Sequence, residues 1–171
     1  HNIAAPLRLW DTETGQKLQE FSAEGYSSQI DTFALSDDGR QILTGSKSAV
    51  NGSQVLRRSK SAVIWDTQSG RNPQCLVGHT GPVGSVAIIG KGRNMLTGSG
   101  TTAILWDSQS GRKIRTLNLD ANSRDICTVA ISEDGSRVIT GAFGDAVVFW
   151  DAQTGEKLWI LQDGTISTRC V

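Results

Sequence analysis

The sequence predicts an all-β protein in which one unit of short antiparallel strands is repeated. Trp-Asp pairs end four short apolar runs, and a polar turn that contains a glycine follows each pair. The stretches between these pairs repeat as well. No segment shows the 3.6-residue period of an amphipathic helix, so the repeated units are built from strands.

The four Trp-Asp pairs mark the same strand and turn in each unit. They are Trp10-Asp11, Trp65-Asp66, Trp106-Asp107 and Trp150-Asp151, and the turns read DTETGQK, DTQSGRN, DSQSGRK and DAQTGEK. Aspartate opens such a turn because its carboxylate accepts hydrogen bonds from nearby backbone N–H groups, and glycine fits a residue with positive φ. Each unit therefore contains a strand, a tight turn and a second strand.

The spacing of the tryptophans indicates one insertion. Successive tryptophans lie 55, 41 and 44 residues apart, and the first interval is too long for the period set by the others. The pentapeptide SKSAV occurs at residues 46–50 and again at 59–63, which is 13 residues further along the chain. Removing 13 residues restores an interval of 42. We infer a 13-residue insertion near residues 47–60.

Two further strands complete the unit. Before each of the last three Trp-Asp pairs lies a segment with apolar residues at its first, fourth and sixth positions, namely IDTFAL at 30–35, VGSVAI at 83–88 and ICTVAI at 126–131. After a short turn follow QILTGS at 41–46, NMLTGS at 94–99 and RVITGA at 137–142. Each complete unit therefore has four short strands.

These motifs resemble those of the WD40 family, and the resemblance covers nearly the whole chain. It implies four-stranded blades packed face to face around a central channel. We therefore expect a partial WD40 β-propeller of about three and a half four-stranded antiparallel blades over residues 1–171. The expected division is the end of blade one at 1–22, blade two at 23–77, blade three at 78–120, blade four at 121–162 and the start of a further blade at 163–171.

An incomplete ring implies a fragment of a longer propeller protein. Open strand edges and apolar faces at both ends favour aggregation unless neighbouring blades cover them. Two half-rings that associate into a single ring are the less favoured alternative. We therefore expect the remaining blades of the same parent chain to be among the partners.

The resemblance also implies a buried polar relay, of which this chain has only parts. In the family, an aspartate bonds a histidine, which bonds a serine or threonine, which bonds the tryptophan. Only His79 occupies the histidine place, and Thr97 or Ser99 is its expected partner. Asp145 occupies the aspartate place of blade four, which has no histidine. We expect His79 and the four Trp-Asp pairs to be structural, in blades that rely strongly on apolar packing.

The charge balance and the cysteines limit the function classes. Lys+Arg and Asp+Glu both number 17, which argues against a nucleic-acid partner because such proteins need a basic surplus. Three scattered cysteines, Cys75, Cys127 and Cys170, form no CxxC pair and predict neither a zinc site nor a disulfide framework. Scattered thiols suit an intracellular compartment, cytoplasmic or nuclear. No apolar run has the length of a membrane span.

No set of catalytic or cofactor-binding residues stands out. The only histidines are His1 and His79, and the acidic pairs Asp37-Asp38 and Glu133-Asp134 each precede a glycine. Turn stabilisation explains such pairs better than acid–base chemistry does. The phosphate-binding patterns GxxxxGK[ST] and GxGxxG are absent from the sequence. We therefore expect no enzyme, no metal and no cofactor.

Binding is expected at the loops that precede the first strand and that join the second and third strands of each blade. These loops emerge on one face and are free to vary. The inserted stretch holds the densest basic run and either contacts an acidic partner or accepts phosphate at Ser59 or Ser61, although a solvated loop is the simpler interpretation. Trp159, on an outer strand, is the tryptophan outside the Trp-Asp pairs, and packing explains it most simply. The candidate interaction residues are Tyr26, Arg57, Arg58, Lys60, Arg124 and Asp145.

The favoured function is a protein–protein interaction scaffold, a WD-repeat module of a larger protein, whose partners are other proteins or peptide motifs. The alternative is a propeller that binds phosphoinositide, nucleic acid or a peptide tail through one loop face. That alternative needs positive potential on the face and predicts salt-dependent binding. A catalytic propeller would need convergent histidines, carboxylates or metal ligands, which the sequence does not show.

Overall fold

The fold consists of β-strands only, in the part of the chain that can be described. The computed structural model describes residues 6–21, 30–46, 62–70, 73–89, 93–143 and 146–161. Within these ranges there are fourteen strands and no helix. Strands that are neighbours in the chain pair antiparallel within one two-stranded and three four-stranded sheets. The predicted fold class, a partial propeller of about three and a half blades, is confirmed.

The four sheets follow one another in chain order, and we call them blades one to four. Blade one pairs β1 (Leu7–Trp10) with β2 (Lys17–Phe21). Blade two contains β3 (Thr32–Leu35), β4 (Gln41–Gly45), β5 (Ala62–Asp66) and β6 (Gln74–Leu76). Blade three contains β7 (Ser85–Ile89), β8 (Asn94–Ser99), β9 (Thr102–Asp107) and β10 (Lys113–Asn118). Blade four contains β11 (Ile126–Ile131), β12 (Arg137–Ala142), β13 (Val147–Asp151) and β14 (Lys157–Leu161).

The turns after the Trp-Asp pairs have the chemistry that the sequence predicts. In blade three, the carboxylate of Asp107 accepts a hydrogen bond from the backbone N–H of Ser110 at 2.7 Å, and the Ser110 hydroxyl donates to it as well. These bonds from Ser110 lower the pKa of the Asp107 carboxyl. Gly111 closes the turn with a φ of 64°, a value that an L side chain disfavours. The other blades repeat this arrangement at Asp11, Asp66 and Asp151.

The core consists of three apolar clusters, one at each contact between neighbouring blades. Because strand side chains alternate between two faces, each blade offers one face to the blade before it and the other to the blade after it. The tryptophans of blades two to four lie on the face toward the preceding blade. Trp65, Trp106 and Trp150 share their clusters with an outer-strand residue of that blade, namely Phe21, Leu76 and Leu117, respectively.

Glycine in the second strand of a blade lets the next blade approach closely. A Cβ on Gly45 would lie 2.8 Å from Cγ1 of Val83, and a Cβ on Gly98 would lie 2.8 Å from Cγ2 of Ile126. Val83 lies two residues before the first strand of blade three, and Ile126 begins the first strand of blade four. The glycine of the repeated Thr-Gly dipeptide is therefore explained by packing, because a larger residue there would collide with the next blade.

Blade one differs from the others in the burial of its tryptophan. Trp10 is 53% exposed, whereas Trp65, Trp106 and Trp150 are at most 2% exposed. In the described residues β1 pairs with β2 alone, so no other strand covers the free edge of β1 next to Trp10. The structure thus buries three of the four tryptophans that the sequence assigns to packing.

Several predicted features lie outside the described residues. They are the insertion near residues 47–60, the further blade at 163–171, and the candidate interaction residues Tyr26, Arg57, Arg58, Lys60 and Asp145. Within the described ranges, no helix has the length and apolar character needed to cross a membrane.

Candidate functional site

Each complete blade contains a buried hydrogen bond between its tryptophan and a threonine of its second strand. The indole N–H of Trp106 donates to the hydroxyl of Thr97 at 2.8 Å. The corresponding distances are 3.0 Å in blade two and 2.9 Å in blade four, for the pairs Trp65–Thr44 and Trp150–Thr140. A buried indole N–H without a partner would cost free energy, so these threonines complete the core.

Blade three extends this bond to a histidine. Nε2 of His79 lies 2.7 Å from the hydroxyl oxygen of Thr97, and the imidazole meets the ring of Trp106 edge-on at a centroid distance of 6.3 Å. His79 is 9% exposed. Burial lowers the pKa of His79 to about 4, because a charged imidazolium loses hydration there. His79 is therefore neutral at pH 7 and acts as a hydrogen-bond anchor for the loop before β7.

The register between β8 and β9 explains why Thr97, and not Ser99, is the partner of His79. Met95 pairs with Trp106, so Thr97 lies one step along the same face of the sheet from the tryptophan. Ser99 lies on that face too, but two steps away. The sequence leaves both residues open because alternation puts both on the same face, and only the register distinguishes them.

The loops of blades three and four form a connected surface, which we call the loop platform (residues 100–102, 119–125 and Phe143). The backbone N–H of Ile126 donates to the carbonyl of Gly100 at 2.7 Å, and that of Leu119 donates to the carbonyl of Thr101 at 2.9 Å. These two bonds join the hairpin loop of blade three to the loop that enters blade four. The platform is therefore fixed to two blades at once.

Two exposed side chains lie on the loop platform, one aromatic (Phe143) and one positively charged (Arg124). The backbone N–H of Phe143 donates to the carbonyl of Asp125 at 3.2 Å, which holds the end of β12 against the start of β11. The Phe143 side chain is 44% exposed. Arg124, one of the predicted interaction residues, is exposed directly before Asp125. Arg124 is thus exposed one residue before Asp125, whose carbonyl binds the backbone of Phe143. Phe143 was not among the predicted interaction residues, although it falls in a loop on the predicted binding face.

Among the described residues, the cavity beside the loop platform is small. A cavity of about 90 Å³ lies beside it, between Asp120, Ser123 and Ile160. Small-molecule sites usually have volumes of roughly 300–1,000 Å³. The carboxylate of Asp120 is already engaged by the ammonium of Lys157 at 2.6 Å.

A larger groove, of about 520 Å³, lies at the opposite end of the blades, where first and second strands are joined. It is bordered by Arg93, Glu133 and Asp134. The carboxylate of Asp134 accepts hydrogen bonds from Ser132 and from Ser136, which lower its pKa to about 2. Asp134 therefore stabilises its own turn, as the sequence predicts for the Glu133-Asp134 pair. In the described part of the chain, no group of three or more His, Cys, Asp or Glu residues is arranged to hold a metal ion.

Neighbouring sheets that pack face to face, each with a Trp-Asp strand and a glycine turn, define the blades of a β-propeller. The WD40 family model, described as WD domain, G-beta repeat, matches residues 70–107 and 111–151. The chain therefore contains WD40 repeats over these residues.

Similar curated proteins are WD-repeat proteins from animals and a protein from an amoeba. WD repeat-containing protein 1 of Gallus gallus is 25% identical over 164 residues, which cover 95% of this chain and 25% of that protein. The Mus musculus protein of the same name is 27% identical over 161 residues, covering 94% and 25%. Protein tipD of Dictyostelium discoideum is 30% identical over 155 residues, covering 91% and 23%. The chain spans about a quarter of the length of these relatives.

Replacing Thr97 by valine tests the buried bonds of blade three. Thr97→Val keeps the side-chain shape but leaves both Trp106 and His79 without their shared partner. We expect it to lower the free energy of unfolding by about 1–3 kcal/mol, measured by urea denaturation. Thr140→Val is the matched variant, because Thr140 accepts a hydrogen bond from Trp150 in a blade that has no histidine. We expect it to lower the free energy of unfolding by less. Equal stability of Thr97→Val and the unmodified chain would contradict this role.

The buried His79 predicts a pH dependence of stability. Its pKa is about 4 in the folded chain and about 6.5 in an unfolded one, so the unfolded state binds the extra proton between these values. Stability is complete above pH 6.5 and falls as the pH drops to 4, by at most about 1.4 kcal/mol per pH unit. Urea denaturation at several pH values measures this slope. His79→Gln should flatten it in that window, and an unchanged slope would show that other groups cause it.

Proposed function

We propose that this chain is a protein-interaction module of a larger WD-repeat protein and that the loop platform is its contact surface. The observation that carries the proposal is the exposure of both Phe143 and Arg124 on loops whose backbone is hydrogen-bonded to blades three and four. Aromatic residues and arginine contribute a large share of the energy at protein interfaces. A rigid platform also limits the conformational entropy that binding would cost.

The polar groups of the described core support a scaffold without catalytic activity. Thr44, Thr97 and Thr140 bind the blade tryptophans, and His79 is held by Thr97. The aspartates of the Trp-Asp pairs stabilise their own turns. Since these groups serve the fold, we infer that the chain catalyses no reaction.

The charges of the loop platform favour a protein partner over an anionic polymer or lipid. Arg124 is flanked by Asp125, and Asp120 is nearby and paired with Lys157. This part of the face therefore has no basic surplus, which phosphoinositide or nucleic acid would require. The basic residues Arg57, Arg58 and Lys60, on which that alternative depends, lie outside the described residues.

Two other expectations from the sequence stay predictions. They are that further blades of a longer parent chain exist and that the protein has an intracellular location.

Substitution on the loop platform tests this function. Phe143→Ala and Arg124→Ala should each reduce recovery of the partner proteins that the tagged chain captures from its own cells, by roughly tenfold, equivalent to about 1.4 kcal/mol. Quantitative mass spectrometry of the captured material measures the change. The expected loss reflects removal of exposed contact atoms, which leaves the fold stable.

Two variants elsewhere on the surface serve as matched controls. Phe33→Ala removes an aromatic ring that is 63% exposed on blade two, and Arg112→Ala removes an exposed arginine from the turn after β9. Both should capture the same proteins as the unmodified chain. If all four variants retain the partners equally, the loop platform is not the contact surface. If the unmodified chain captures no protein above a tag-only control, the proposed function is wrong.

A further inference from the structure

A polar cavity lies between blades two and three, at the end of the blades opposite the loop platform. Its volume is about 220 Å³, which is below the roughly 300–1,000 Å³ of most small-molecule sites and suits a single side chain of a larger partner. We call it the interblade cavity. Its lining includes Asp38, Arg40, Gln41 and Asp66 of blade two and Arg93 and Ser108 of blade three.

Two buried polar atoms of this lining have no hydrogen-bond partner in the described part of the chain. They are Oγ of Ser108, a residue that is 3% exposed, and Oε1 of Gln41. Buried polar atoms in folded proteins are nearly always hydrogen-bonded, and an unsatisfied one costs free energy. Because both atoms belong to residues that line the same cavity, one bound group can satisfy both.

The equivalent places in the other complete blades contain no such hydroxyl. Ser108 directly follows the Trp-Asp pair of blade three. In blade two the same place holds Thr67, whose hydroxyl donates to the carbonyl of Gly39 at 2.7 Å. In blade four it holds Ala152, which is 5% exposed and has no hydroxyl. The blade fold therefore does not require a free hydroxyl here, and that of Ser108 is left for a bound group.

Two arginines add positive charge to the cavity. Arg40 and Arg93 hold the same place in neighbouring blades, because each directly precedes the second strand. Both side chains are exposed. Neither guanidinium forms an ion pair with a carboxylate of the described residues. Both are therefore available to an acceptor that enters the cavity, and guanidinium groups bind carboxylates especially well.

The two carboxylates of the lining are already engaged in their own turns. Asp38 accepts the hydroxyl of Ser36 at 2.7 Å, and Asp66 accepts the N–H of Ser69 at 2.7 Å. These hydrogen bonds lower the pKa of both carboxyls, so both are ionised at pH 7. Two negative charges thus balance two positive ones in the lining. Such a balance suits a ligand with one negative charge better than a polyanion.

Hydrogen bonds between the blades fix the walls of the interblade cavity. Nε2 of Gln74, in the outer strand of blade two, donates to the carbonyl of Ser110 at 3.1 Å. The backbone N–H of Ser108 donates to the carbonyl of Arg93 at 3.1 Å. The turn that carries Ser108 is therefore tied both to blade two and to the start of β8. A cavity held in this way needs little ordering when a ligand enters.

We propose that the interblade cavity binds an aspartate or glutamate residue of a peptide segment in a partner protein. The side-chain carboxylate of that residue accepts hydrogen bonds from the guanidinium groups of Arg40 and Arg93 and from the hydroxyl of Ser108. Its backbone N–H donates to Oε1 of Gln41. An acidic residue within a peptide supplies the acceptor, the donor and the single negative charge together. This site lies apart from the loop platform, so it adds a second binding surface.

Titration with short peptides, followed by NMR of the labelled chain, tests the ligand class. The probe is Gly-Gly-Glu-Gly-Gly with acetyl and amide caps, in which the glutamate side chain carries the only charge. It should shift the side-chain Nε–Hε signals of Arg40 and Arg93 and the backbone N–H signal of Ser108, and the shifts should saturate. The same peptide with glutamine in place of glutamate should bind at least roughly tenfold more weakly.

Substitutions in the lining test the assigned contacts. Arg40→Ala and Arg93→Ala should each weaken binding of the glutamate peptide roughly tenfold, and Ser108→Ala should weaken it roughly threefold. Arg124→Ala is the matched control, because it removes an exposed arginine at the opposite end of the blades. This variant should bind the peptide as the unmodified chain does.

Thermal stability separates a ligand-binding hydroxyl from a structural one. Ser108→Ala should melt at the temperature of the unmodified chain, because its hydroxyl bonds no described group and alanine fills the same place in blade four. Thr67→Ala should melt at a lower temperature, because it removes the bond to Gly39. An equal decrease for both variants would show that the Ser108 hydroxyl serves the fold, and the assignment to a ligand would be wrong.

Three results of the titration would overturn the proposal. In the first, the glutamate peptide shifts none of these signals up to its solubility limit, which would mean that the cavity holds only water. In the second, the glutamine peptide binds equally well, so that the charge plays no part. In the third, inorganic phosphate saturates the same signals at a lower concentration than the peptide does, which would indicate a general anion site. Partner capture through Phe143 concerns the other end of the blades and is unaffected by any of these results.

Discussion

The structure depends on a two-residue constraint in the second strand of each complete blade, where a threonine is followed by a glycine. Adjacent strand residues point to opposite faces. The threonine therefore meets the tryptophan of its own blade on one face, as Thr97 meets Trp106 at 2.8 Å. The glycine leaves room on the other face, where a Cβ on Gly98 would lie 2.8 Å from Ile126 of the next blade. One dipeptide thus completes a blade internally and sets how closely its neighbour packs.

This constraint also determines which parts of the chain are free for binding. Close packing at Gly98 brings the hairpin loop of blade three against the start of blade four, where the N–H of Ile126 bonds the carbonyl of Gly100 at 2.7 Å. The loops of two blades thereby become one rigid surface, and Phe143 is held on it in an exposed position. At the other ends of the blades, the aspartate carboxylates accept hydrogen bonds from the N–H groups of their own turns.

Repetition made most of the fold predictable from the sequence. The segment ICTVAI at 126–131 coincides with β11, and VGSVAI at 83–88 overlaps β7, which covers Ser85–Ile89. The glycine turns could also be predicted from the sequence, because their hydrogen bonds join residues that are close in the chain. That Thr97 and not Ser99 binds His79 could not be predicted from the sequence, since it depends on the register between two strands. The hydrogen bonds of Gln74 and Arg115 to the glycine turn of the following blade could not be predicted either, because they join different blades and the two side chains share no motif.

The exchange of the indole N–H protons with solvent tests most directly whether the tryptophans of the three complete blades are buried while that of blade one is exposed. The measurement is made by NMR at a concentration where the chain sediments as a monomer. We expect slow exchange for Trp65, Trp106 and Trp150, because their indoles are buried and bonded to threonines in the second strands. Trp10 and Trp159, at 53% and 66% exposure, should exchange rapidly. Equal and rapid exchange of all five indoles would contradict the packing described for this chain.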